Sequence, residues 1–248
     1  MESSPGSDHS RRDVDYTNSR RHLLRVFTTP AAIKVRKRVY ETFLSTMAPT
    51  AGTTVVDIGI TADQTTEDSN FFEKWYPHPG RVTATSIEDA SYVEAAHPGV
   101  TFVRTTADEL PFEDRQFDIA FSSAVLEHVG DRARQRRFLE ELLRVSERFF
   151  VVTPDRRFPI ELHTFLPFLH WMRQDRHQRV LRSLGQSAWA ETDNLNLLDE
   201  TSLRALFPVG VRPTVTGPRM FGLRSNLVAF GQSIPGPTSG PGEHVGPP

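Results

Sequence analysis

Carboxylates and imidazoles are the groups with which this chain can do covalent chemistry. The 248 residues include no cysteine, which excludes disulfides, thiolate zinc sites, iron–sulfur clusters and a thiol nucleophile. The candidates fall in short stretches: DIGITAD at 57–63, SIED at 86–89, TTAD at 105–108, SSAVLEH at 122–128 and ELH at 161–163. Asp57 can receive an amino group, or it can pin its own loop by accepting backbone amides. Gly59 lets backbone approach a ligand closely. Glu88 can answer a helix dipole. His128 is open to three roles, as structural hinge, substrate contact or base, because an imidazole titrates near neutrality. Glu127 and His128 are disfavoured as a metal pair, since neighbouring side chains diverge and no third ligand is obvious; no metal is expected.

The elements that must position these groups alternate between helical and strand patterns. A helix is expected from Ala31 to Met47 after Pro30, with Val39, Tyr40, Phe43, Leu44 and Met47 as its buried stripe. Strands are expected at 53–58, 82–86, 100–103, 117–121 and 149–153, from β-branched and apolar runs closed by Gly, Pro or polar turns. Helices are expected at 90–96, at 132–145 with Asp131 as cap, and at 201–207. Two closing strands, 211–216 and 225–230, flank Pro218 to Gly222. Continuous apolar strands separated by helices imply parallel β-structure covered on both faces. Ligands in such sheets bind at the carboxyl ends of the strands, where the order reverses. The stretches at 57–63, 86–89, 105–108 and 122–128 all follow strands, so all are expected at that end.

Composition narrows the function classes. The net charge of −2 offers no general positive field for nucleic acid. No apolar run approaches the roughly 20 residues of a membrane helix, and the N-terminus lacks a secretory apolar stretch, so a cytoplasmic protein without a membrane partner is expected. Residues 1–20 and 233–248 are expected to be disordered; nine of the last fourteen residues are Pro or Gly.

VVDIG at 55–59 followed by ELPFEDRQFDIAFSSAVLEHVGD at 109–131 resembles the class I S-adenosylmethionine-dependent methyltransferases, over residues 31–155 and more weakly to 231. The resemblance implies an α/β, Rossmann-like, doubly wound sheet of seven mostly parallel strands with helices on both faces. It implies S-adenosylmethionine as cofactor and a methyltransferase domain over 21–232. It implies an acid and three alternating glycines after the first strand. Asp57 and Gly59 match that pattern, whereas Thr61 and Asp63 stand where the second and third glycines belong. The ribose acid falls at Ser86, which moves that role to Glu88. The adenine position falls at Thr106, with the Ala107 amide and the Asp108 carboxylate beside it. Ser122 and Ser123 belong to the floor of the sulfonium site.

Residues 154–196 read as an inserted lid, broken by Pro154, Pro159 and Pro167. Phe165, Leu166, Phe168, Leu169, Trp171 and Met172 beside Glu161, His163 and His170 suit a small-molecule pocket, and equally a homodimer face or a packed subdomain. Within a lid, Glu161 or His163 can take a substrate proton. The leading expectation is methyl transfer to a small-molecule acceptor by in-line displacement. The alternative is a binding or scaffold protein of the same fold without methyl-transfer activity, motivated by the departures at Thr61, Asp63, Ser86 and Thr106. A nicotinamide dehydrogenase is disfavoured, because the glycine fingerprint is missing and Lys occurs only at 34, 37 and 74.

Overall fold

A computed structural model describes residues 19–64, 69–161, 164, 166–192 and 194–233. The expected disordered ends lie outside these residues, apart from Ser19 and Arg20, which begin a helix, and Ser233. The elements in chain order are α1 (Ser19–Met47), β1 (Val55–Ile58), α2 (Phe71–Trp75), β2 (Val82–Ser86), α3 (Tyr92–Ala96), β3 (Thr101–Arg104), β4 (Phe117–Ser123), α4 (Arg132–Arg144) and β5 (Ser146–Pro154). There follow α5 (Gln174–Ser183), α6 (Glu200–Leu206), β6 (Thr214–Thr216), β7 (Arg219–Met220), β8 (Leu223–Arg224) and β9 (Asn226–Gln232).

Seven strands form one sheet in the order β3-β2-β1-β4-β5-β9-β6. All are parallel except β9, which runs antiparallel to both β5 and β6. The chain moves outward from β1 to β3 and then returns to lay β4 beside β1. The two connections that leave β1 and β4 therefore part in opposite directions and open a crevice at the carboxyl ends of those strands. Asp57 sits at the centre of this geometry, paired with Ala84 on one side and Phe121 on the other.

Strand periodicity divides the core in two. Val56, Ala120, Phe149, Val151 and Ala229 face α4 and α6, while Val55, Ile119, Phe121, Phe150, Val152 and Val228 face α1, α2 and α3. Adjacent residues point to opposite faces, so a strand buried on both faces must be apolar at nearly every position. The second layer is aromatic. Phe72 stacks on Phe121 at 4.4 Å between ring centroids, and Phe43 stands edge-on to Phe72 at 5.1 Å and to Phe150 at 5.4 Å. Truncating one such ring to alanine costs about 3–5 kcal/mol. This packing fixes α2, and with it the loop that follows β1.

Two expectations need correction. The first helix does not begin at Ala31 but runs from Ser19, with Pro30 inside it. Proline keeps the helical φ at the cost of one amide hydrogen bond and of crowding against the carbonyl four residues earlier, so a favourable start position is not proof of a start. In the buried stripe, Val39, Phe43 and Met47 are interior but Leu44 is exposed. Pro218 to Gly222 is more than a connection, since β7 and β8 pair across it. Phe221 and Gly222 both take positive φ, 51° and 80°, which is the twist of a tight two-residue hairpin turn. The usual signal for that turn is Asn-Gly, and a Phe at the first position hides it.

Residues 154–196 lie beyond β5 and carry a small apolar cluster of Leu181, Trp189, Ala190 and Leu195. They are tied to the loop after β4: Asn196 donates its backbone amide to the Glu127 carbonyl at 2.8 Å and its side-chain amide to the Gly130 carbonyl at 2.8 Å. Gln135 of α4 donates to the carbonyls of Leu126 and Asn196, both at 2.9 Å.

Candidate active site

The crevice between β1 and β4 holds a cavity of about 220 Å³. Its polar lining includes Asp57, Thr61, Asn70, Ser123 and His128, and its apolar wall is formed by Phe71, Phe72 and Phe121. Arg36 of α1 also reaches it, with its guanidinium carbon 5.2 Å from the centre of the Phe71 ring.

The loop after β1 is shaped by one glycine and one asparagine. Gly59 has φ +96°, and a Cβ there would come within 2.3 Å of a Val125 methyl. A side chain is thus excluded twice, by conformation and by the loop after β4 packing against it. Thr61, where the resemblance puts a second glycine, is held by a double clasp. Its backbone N–H donates to Asn70 Oδ1 at 3.0 Å, and its carbonyl accepts from Asn70 Nδ2 at 2.9 Å. Tyr92 of α3 backs the clasp, accepting from Asn70 Nδ2 at 2.7 Å and donating its hydroxyl to the Thr61 carbonyl at 3.2 Å. The Thr61 hydroxyl accepts the Asp63 amide at 3.0 Å and closes the turn. The cradle is held by hydrogen bonds where the family pattern relies on glycine.

Asp57 is buried, and so is Glu73 of α2, which faces it. Burial and then the Glu73 charge push the Asp57 carboxyl well above the usual carboxylate range. Burial pushes Glu73 up to about 7, against the pull of its contact with Asp57 and the Lys74 charge. Neither Glu73 oxygen has a hydrogen-bond donor among the described residues. Two ionised carboxylates have no donor between them, so the contact becomes a hydrogen bond only when one of them is protonated.

His128 is oriented for proton acceptance. Its Nδ1 lies 2.6 Å from the Asn194 carbonyl, which can only accept, so Nδ1 carries the proton and Nε2 the lone pair in the neutral ring. Nε2 is 3.9 Å from a Glu127 oxygen, and the other Glu127 oxygen accepts the Thr153 hydroxyl at 2.9 Å. Trp189 stands 6.2 Å from the imidazole between ring centroids, so two groups from the 154–196 segment flank this histidine.

Asp57, Gly59, Thr61, Ser123 and His128 are brought together by the fold. Ser122 turns away from the cavity, donating to the Ile58 carbonyl at 2.9 Å, because successive β4 residues face opposite ways. Glu88 is exposed past β2, and Thr106, Ala107 and Asp108 follow β3; none of these lines the cavity. Glu161 is buried away from it, accepting the Thr164 amide and facing a space of about 10 Å³ shared with Asp155 and His170. That space has room for about one water molecule and no substrate. His163 lies outside the described residues. Sequence reasoning missed Glu73, Asn70, Arg36 and Tyr92. The available signal was a polar residue inside an apolar run: Asn70 before Phe71 and Phe72, and Glu73 after them.

A family model described as a methyltransferase domain matches residues 57–148, from the buried acid of β1 into β5. Among solved structures, an S-adenosylmethionine dependent methyltransferase from Mesorhizobium loti aligns at 18% identity with a TM-score of 0.50, covering 77% of this chain and 96% of that one. The PH0226 protein of Pyrococcus horikoshii aligns at 16% identity and a TM-score of 0.51, covering 87% and 92%. The methyltransferase solved in complex with the Haloferax volcanii Trm112 methyltransferase activator aligns at 14% identity and a TM-score of 0.52, covering 84% and 92%. These structures share the fold. A search of curated protein sequences finds no match. No helix among the described residues is long and apolar enough to cross a membrane.

Proposed function

We propose that this chain, whose residues 57–148 match a methyltransferase domain, is a class I S-adenosylmethionine-dependent methyltransferase that acts on a small-molecule acceptor held between the crevice and residues 154–196. The cavity has features that fit the cofactor. The buried Asp57 carboxyl in its lining suits an ammonium group, and the loop that starts at Gly59 turns close over the same space. At about 220 Å³ the cavity falls short of the ~300–1,000 Å³ of whole-ligand sites. We therefore assign it to the amino-acid end of the cofactor and the methyl. Beyond the cavity, Glu88 after β2 would hold the ribose hydroxyls, and Thr106, the Ala107 amide and Asp108 after β3 would hold the adenine.

When bound, the cofactor supplies an electrophilic methyl: the acceptor's lone pair bonds to the methyl carbon as the carbon–sulfur bond breaks and its electrons stay on sulfur. The protein's part is to position and to exclude water. Asp57 holds the ammonium end. Gly59, Thr61 and Ser123 shape the floor. Phe71, Phe72 and Phe121 keep it dry. His128 takes the proton of a hydroxyl or amine acceptor on Nε2, with Glu127 stabilising the imidazolium. The segment 154–196 acts as the lid, and Trp189 and Asn194 couple its position to His128.

The observation that carries this reading is the contact of His128 Nδ1 with the Asn194 carbonyl at 2.6 Å, on the rim of the cavity that contains Asp57. The test is incubation of the protein with a cell extract and methyl-labelled cofactor, followed by ultrafiltration. Label in a filtrate compound that chromatography separates from the unreacted cofactor, and that is absent without the protein, is the expected result. Label only in retained protein or nucleic acid refutes a small-molecule acceptor.

A further inference from the structure

Glu73 is unusual among the buried groups of this chain. It is 3% exposed, its two carboxyl oxygens have no donor among the described residues, and it contacts Asp57, which lines the cavity while Glu73 itself does not. A buried polar atom without a partner requires a cause, and a buried carboxylate more than most. The packing explains why Glu73 is buried, since its neighbours Phe71 and Phe72 are anchored in the aromatic layer. It does not explain why the residue is an acid.

We propose that Glu73 is a positioning acid that acts on the cofactor's ammonium group through Asp57: it shares one proton with Asp57 in the free protein, and the pair releases it when the ammonium binds to Asp57. This rests on the reading above that Asp57 receives that end of the cofactor. Two carboxylates in contact in a dry site cannot both ionise at neutral pH, so the pair retains a proton. An ammonium against Asp57 supplies N–H donors to that carboxylate and a positive charge near both acids, which favours the doubly ionised state. The proton then leaves to solvent. The direction of the carboxyl shifts agrees, upward for both partners. The other groups around the pair do not replace this role. Lys74 is the next residue of α2 and lowers Glu73 only as a minor influence. Tyr92 of α3 is held at the Asn70 clasp, and Asp63 acts on Tyr92. Arg36 of α1 lies over the Phe71 ring, and His128 reaches the cavity from the loop after β4 and is held by Asn194.

Calorimetric titration with S-adenosylhomocysteine, which has the same ammonium end, tests this in two buffers of different ionisation enthalpy at pH 7. The difference in heat gives the protons released. About 0.5 to 1 proton per ligand is expected, and between pH 5.5 and 7 the affinity rises by up to about tenfold per pH unit. The range stops at pH 7 because a free α-amino group itself titrates at about 7.7–8.0. In Glu73→Gln the carboxamide donates to Asp57, and both the release and the pH slope fall. Binding without proton release in the wild type overturns the proposal, with no variant needed. A Glu73→Gln protein with undiminished release overturns it as well. No binding by the wild type at any pH overturns the cofactor reading itself, and the proposal with it.

Discussion

Replacing Asn70 by glycine isolates what the clasp on Thr61 contributes. Asn70 has φ 47°, a left-handed conformation that glycine adopts without strain, so the substitution removes side-chain hydrogen bonds and adds no backbone penalty. Three bonds are lost: Thr61 N–H to Asn70 Oδ1 at 3.0 Å, Asn70 Nδ2 to the Thr61 carbonyl at 2.9 Å, and Asn70 Nδ2 to Tyr92 Oη at 2.7 Å. Each is worth about 0.5–1.5 kcal/mol net, and the site is only partly buried, so the lower half of the summed range applies, about 1.5–3 kcal/mol. Ile60 and Ala62 keep the loop packed on the aromatic layer while the clasp on Thr61 is only partly buried, so much of this appears as ordering that the ligand must supply. At 1.4 kcal/mol per factor of ten, the dissociation constant for S-adenosylhomocysteine should rise roughly 10- to 100-fold. KM for the cofactor should rise with it while kcat changes little, because Asn70 touches no reacting atom. Asn70→Asp keeps the acceptor for the Thr61 amide and loses both donors, and it should fall between the two. Calorimetry on the three proteins, with thermal melts as a check on folding, is the assay. An Asn70→Gly protein that binds within about twofold of wild type would refute the claim that hydrogen bonding stands in for the missing glycine.

Three further outcomes follow from the same geometry. His128→Gln should lower kcat by about 10²- to 10⁴-fold for an acceptor that must lose a proton, with binding of S-adenosylhomocysteine nearly unchanged; equal loss of binding would make the residue structural. Gly59→Ala forces a left-handed φ of +96° and a contact of 2.3 Å with Val125, so it should destabilise the fold by at least about 2 kcal/mol, read as a lower denaturant midpoint. The third concerns pH. Glu73 titrates at about 7 in the folded chain, above its unfolded value, so its contribution to stability is present at acid pH and is lost as pH rises through 7. Glu141, Asp199 and Glu200 are shifted the other way, Glu141 and Glu200 by arginine contacts and Asp199 by the Ser202 amide, and their contribution is lost as pH falls into the carboxylate range. The ligand-free protein should therefore melt highest at mildly acid pH, and Glu73→Gln should remove the decline toward pH 8. A flat melting temperature from pH 5 to 8 in the wild type would count against a buried ionisable pair.

The strands were the most legible part of the chain. Val82 to Ser86 is a strand with the expected bounds, and the runs around Val55, Phe117 and Phe149 are strands within a few residues of those bounds. The β9 run Leu227-Val228-Ala229 is buried on both faces, as its lack of alternation implies. Asp131 caps α4, accepting from Ala133 and Arg134. These signals are local: an apolar run or a cap depends on residues a few positions apart. Pro30 and the Phe221-Gly222 turn misled because the chain used a tolerated conformation where a preferred one was expected.

The site divides along the same line. The sequence by itself determined that Asp57, Gly59 and the loop to His128 follow the strands that frame a crevice, since strand ends and turn residues are written locally. It also excluded cysteine chemistry outright. Only the tertiary structure decided which polar residues share that crevice. Asn70 clasps a backbone nine residues away, Glu73 meets Asp57 sixteen positions earlier, and Asn194 sets the tautomer of a histidine sixty-six positions before it. In sequence Glu73 reads as one more surface charge in a short helix. It becomes a buried acid because the phenylalanines before it are drawn into the aromatic layer, and the apolar burial that pins α2 carries an ionisable group into the dry centre of the fold.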